Sequence, residues 1–124
     1  MKKLFHRAYH YVLHSFTAKT LHGTHSPYVY DFLEQVVYNP YPFYVFDLIE
    51  SFRAQLLLNQ KSIYVNDYGT GVSQLKKIST VANRSLKPAR QAQLLFKTIN
   101  YFKSKEIIEI GTSLGLTTMY LAKA

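Results

Sequence analysis

No cysteine occurs among the 124 residues, so there is no disulfide framework, no thiolate metal site and no thiol nucleophile. No apolar run approaches the roughly 18 residues that a membrane-spanning helix needs. The opening MKKLFHRAYH is basic, but His6 and Arg7 interrupt the apolar stretch of a secretory signal, and the expected compartment is the cytoplasm. Low-complexity tracts, internal repeats and a flexible linker are also lacking. Acids are few, seven Asp and Glu against fifteen Lys and Arg, for a net charge of +8. Against these absences stand a hydrophobic fraction of 48% and a charged fraction of 18%. That balance excludes a disordered chain, and the length allows one modest core.

The charge is unevenly distributed. Residues 1–30 carry Lys2, Lys3, Arg7 and Lys19 with no acid. Residues 31–67 sum to −3, residues 68–105 to +8 and residues 106–124 to −1. A block of eight bases without an acid suits phosphate, so a small basic domain binding nucleic acid or an acidic partner is one reading. No nucleic-acid motif accompanies it, and solvated helix faces are the plainer reading. A third is that the balancing acids lie on a part of the protein not included here.

Hydrophobic spacing organises most of the chain into helices. Leu4, Phe5, Ala8, Tyr11, Val12 and Phe16 share one face of a helix over residues 3–18, with His6, His10 and His14 on the other face. The row could set imidazoles on one metal ion, but no carboxylate lies within that helix, so a solvated row and no metal site are expected. Ser26 and Pro27 form a helix start, and Val29, Phe32, Leu33, Val36 and Val37 are the inward residues up to Asn39-Pro40. Tyr38 to Tyr44 is an aromatic turn in which Tyr41 and Tyr44 could line a cleft.

Phe46, Ile49, Phe52, Leu56 and Leu57 mark a helix over 43–58, and Ile63 to Val65 a short strand. Ser73 is placed to cap a helix running to Asn83, and Pro88 opens another with Ala92, Leu95, Phe96 and Ile99 inside. Glu106 to Ile110 reads as the strongest strand, and Leu116 to Ala124 as a final helix. The expected fold is mostly α, about six helices with one or two short strands.

The chemistry concentrates at residues 105–122, KEIIEIGTSLGLTTMYLA, a strand, a glycine turn and a helix. The isoleucine run suits a sheet covered on both faces. Gly111 permits a turn, Gly115 a close approach, and the helix start offers N–H groups to an anion. Glu109 suits an ammonium or a hydroxyl group.

The segment Glu109-Ile-Gly-Thr-Ser-Leu-Gly-Leu-Thr-Thr118 resembles the first motif of class I S-adenosylmethionine-dependent methyltransferases, nearest the catechol and caffeoyl-CoA O-methyltransferases. His22-Gly-Thr-His-Ser-Pro-Tyr-Val-Tyr-Asp31 and Asp67-Tyr-Gly-Thr-Gly71 also resemble the N-terminal region of a bacterial subgroup. The resemblance implies a helical cap over residues 1–104 and the first strand-turn-helix of a Rossmann-like domain over 105–124. It implies that Glu109 orders the cofactor's methionine end, with Gly111, Thr112 and Ser113 beneath it. Gly115 would allow close approach, and Thr117 would donate to the methionine carboxylate. His22, His25 and Asp67 are candidate substrate contacts, and the family's catalytic base is not identified.

The family fold also needs a second strand with an acid for the ribose hydroxyls, about 20 residues further on by analogy with dinucleotide sites. The chain is therefore read as the N-terminal part of a methyltransferase acting on a small-molecule or macromolecular acceptor, inactive alone. Its unpaired strand is expected to bring copies together through Ile107, Ile108 and Ile110.

Gly111-Thr-Ser-Leu-Gly115 also spells G-x-S-x-G, the nucleophile elbow of α/β-hydrolases. That fold places Asp and His after the serine, whereas all five histidines here precede Ser113. A glycine turn with no ligand is the third reading of the same residues.

Overall fold

A computed structural model describes residues 2–17, 23–66 and 73–124. The chain divides into two compact units, Met1–Asn39 and Pro40–Ala124. Residues 40–104 and 105–124 therefore belong to one unit. The fold is mostly helical.

In the first unit, α1 spans Lys2–Thr17. Every described side chain from Phe5 to Thr17 is exposed. Its last turn is tied by hydroxyls, with Ser15 Oγ donating to the Tyr11 carbonyl and Thr17 Oγ1 to the Leu13 carbonyl, each at 2.9 Å. Helix α2 spans Pro27–Phe32, with Ser26 as the cap whose Oγ accepts from Val29 N–H. Proline at the first turn gives up no hydrogen bond, because that N–H has no partner in a helix. The helix widens into a π-turn over Leu33–Val37, which Tyr38 N–H closes on the Leu33 carbonyl at 2.8 Å. It thus stops just before the expected Asn39-Pro40 break. Of the five residues expected inside, Val36 alone is fully buried, and Val29 is exposed.

The second unit is built on three helices, α3 (Val45–Leu58), α5 (Ala89–Phe102) and α6 (Leu116–Lys123). Their core is Val45, Phe46, Ile49, Ala92, Phe96, Leu116 and Tyr120. Phe46 and Phe96 meet edge to face at 5.0 Å, and Phe43 and Tyr120 extend the aromatic cluster. Each fully buried side chain of this size contributes about 1.5–3 kcal/mol. Leu95 and Phe52, expected inside, are instead partly exposed.

Two expectations from the sequence are corrected. The helix drawn from Ser73 begins only at Ile78, where α4 (Ile78–Ser85) starts. The preceding residues form β2 (Gln74–Lys77), antiparallel to β1 (Ser62–Val65), with Ser62 opposite Lys77 and Val65 opposite Gln74. Ladder bonds come from backbone groups, so a segment without strand composition can complete a short neighbour that needs a partner. The second correction concerns residues 106–110, which form no strand. A strand exists only by pairing, and among the described residues the sheet has two strands, β1 and β2. Ile108 and Ile110 consequently stand 91% and 96% exposed.

Candidate functional site

The turn between residue 110 and α6 is shaped by left-handed backbone. Gly111 has φ +81°, Ser113 +51° and Gly115 +76°. A Cβ added at Gly111 or Gly115 would meet nothing within 4 Å. Within the chain, these glycines serve the turn through φ rather than through close packing. Gly115 N–H donates to the Thr112 carbonyl at 2.9 Å and closes the turn. Met119 N–H then takes the Gly115 carbonyl at 3.0 Å, so α6 begins at once. No side chain caps α6, and its first turn holds no acid. Its leading N–H groups and positive dipole end therefore remain available to an anion.

This turn forms one wall of a cleft of about 520 Å³. The other walls are the Ser85-to-Pro88 segment and the α5 face of Gln91, Leu95 and Ile99. Glu109, Gly111, Thr112, Ser113 and Thr117 all line it, which brings five of the six expected cofactor residues to one space. The sixth, Gly115, starts the helix behind them. The volume falls in the range of small-molecule sites, and the lining mixes aliphatic side chains with a few polar groups.

Glu109 is half-buried, and its Oε2 accepts from Thr118 Oγ1 at 2.5 Å. Sequence reasoning singled out Thr117, which lines the cleft, and missed Thr118, which holds the carboxylate. The doublet Thr117-Thr118 was the available signal, and choosing between its members needs the rotational phase of α6. Thr118 leaves Oε1 as an acceptor. On the opposite rim Ser113 Oγ donates to Ser85 Oγ at 2.8 Å, a contact 28 residues long in sequence that no local pattern announces. The hydrolase reading needs an imidazole at that hydroxyl, and the hydrogen-bond partner here is a second serine.

His25 is exposed, just ahead of the Ser26 cap in the first unit. His22 and Asp67, together with the rest of the Asp67-to-Gly71 turn, lie outside the described residues. No helix among the described residues is long and apolar enough to cross a membrane. Comparison with protein-family models, with curated proteins and with solved structures finds no match.

Proposed function

We propose that residues 109–118 form the methionine-end half of an S-adenosylmethionine site, and that the chain contributes the N-terminal part of a class I, Rossmann-like methyltransferase. The single observation behind this reading is the convergence of Glu109, Gly111, Thr112, Ser113 and Thr117 on one cleft at an uncapped helix start. An amino acid's two charges have matching acceptors and donors there. Glu109 Oε1 suits the ammonium group, while the α6 N–H groups and the Thr117 hydroxyl suit the carboxylate. The aliphatic flank from Leu95, Ile99 and Ile107 suits the methylene chain that leads from their shared α-carbon to the sulfur.

When bound, S-adenosylmethionine supplies a methyl group on a sulfonium sulfur, open to in-line displacement by an oxygen or nitrogen of the acceptor. The residues described here would hold and orient that end, which contributes proximity rather than proton transfer. The acceptor, a small molecule or a macromolecule, would be bound elsewhere, and the ribose would need an acid on a following strand. Activity is therefore assigned to the complete enzyme.

The test is calorimetric titration of S-adenosylhomocysteine into the chain, with Glu109→Ala and Thr118→Val beside it. Weak binding that Glu109→Ala abolishes and Thr118→Val weakens is the expected result. Binding indifferent to Glu109, or no binding to a chain that remains folded, would count against the half-site.

A further inference from the structure

The proposed cofactor cleft uses none of the histidines of α1, which recur at every fourth position as His6, His10 and His14. One helical turn sets such residues side by side. In the structure this spacing brings His6 Nε2 and His10 Nε2 to 3.1 Å. The ring centroids are 4.3 Å apart with planes inclined by 55°, and Tyr9 packs edge-on against His10 at 5.5 Å. Two neutral imidazoles meet this way when one Nε2 carries the hydrogen and the other offers its lone pair.

The same separation suits a shared metal ion. Imidazole nitrogens bind zinc-sized ions at about 2.0–2.1 Å. Two such bonds spanning the 3.1 Å gap enclose about 98° at the metal, between the square-planar and tetrahedral angles. Both rings are exposed, so their side-chain torsions can adjust and water can fill the remaining positions. Among the described residues no group of three His, Cys, Asp or Glu gathers for a metal ion. The protein's share is thus two ligands.

We propose that His6 and His10 form a bidentate site for a divalent transition-metal ion, completed by water. Imidazole ligands favour copper, nickel and zinc, and an all-nitrogen pair excludes magnesium and calcium, which need oxygen ligands. His14 stands at the same spacing from His10, but the contact in the structure is between His6 and His10. That difference separates a defined pair from a histidine row of general affinity. The inference is independent of the methyltransferase reading, since α1 belongs to the other unit.

Nickel(II) is titrated into the full chain by calorimetry, with far-ultraviolet circular dichroism in parallel. The wild type should bind one ion with a rise in helical signal, because a bridge between positions four apart ties one turn of α1. His6→Ala should weaken binding about tenfold or more, since the second ligand no longer acts intramolecularly, and should remove the helical gain. His14→Ala should keep both. These are exposed positions, so the metal-free spectra should coincide and folding does not confuse the outcome. Wild-type affinity in His6→Ala, an equal loss in His14→Ala, or no binding by the wild type would each overturn the proposal.

Discussion

Tyr120 of α6 donates its phenolic hydrogen to Glu50 Oε1 of α3 at 2.6 Å. The other oxygen of the same carboxylate accepts from Arg53 Nε at 2.7 Å, and Arg53 Nη1 donates to the Lys87 carbonyl at 2.8 Å. One carboxylate therefore links the helix that follows the glycine turn, the central helix α3 and the segment that forms a wall of the cleft. Tyr120 is fully buried, and its ring lies 5.5 Å from that of Phe46. Burial, and then the bond to Glu50, push the phenol from its ordinary 10.0 up to about 12.

The shift makes stability depend on alkaline pH. The folded state holds the phenolic proton more tightly than the unfolded chain does. The contribution is complete below pH 10 and is lost as pH rises through about 12. Tyr120→Phe should lose about 1–2 kcal/mol at neutral pH with the Glu50 hydrogen bond. The difference between wild type and variant should shrink as pH rises across that window. Denaturant unfolding of both proteins over the alkaline range measures this, and subtracting them removes the other ten tyrosines. Parallel curves would show that Tyr120 does not couple folding to pH.

The turn makes a separate prediction. Gly115 has φ +76° and open space where a Cβ would sit. Gly115→Ala should then be penalised by backbone conformation alone, about 1–2 kcal/mol. In a unit of this size each 1 kcal/mol lowers the melting temperature by roughly 4–8 °C. Gly115→Asn should be milder, because a short amide side chain tolerates left-handed backbone. Thermal unfolding of the two variants distinguishes this origin from steric crowding, which would make Asn the worse residue.

The helices were the legible part of this chain, since apolar spacing, Ser26-Pro27, Pro88 and Gly115 mark their starts by local chemistry. Burial was less legible. Phe52 and Leu95 have the right helical spacing but remain partly exposed, because spacing gives a face and not its covering. Gln74 to Lys77 carries no strand pattern, and its pairing with β1 is a backbone event. Ile107, Ile108 and Ile110 carry a strong strand pattern, yet among the described residues none pairs with them in a sheet. At the cleft, the Glu109 turn was visible as a motif. Thr118 and Ser85 were not, because they depend on helix phase and on a distant segment.

The exposed isoleucines carry a final prediction. Ile108 and Ile110 are 91% and 96% exposed, two neighbouring aliphatic side chains on a segment whose backbone joins no sheet. Burying such residues is favourable at about 25 cal/mol per Å², and an unpaired segment of high β-propensity is prone to pair with a second copy. Light scattering should therefore show a mass that rises above the monomer with increasing concentration. Ile108→Lys with Ile110→Lys should return the chain to a monomer, because like charges oppose each other across such a contact. Neither position lies in the core, so helical content should not change. A wild-type monomer at high micromolar concentration would show that these side chains do not drive association. Association that persists in the double variant would move the contact to another surface.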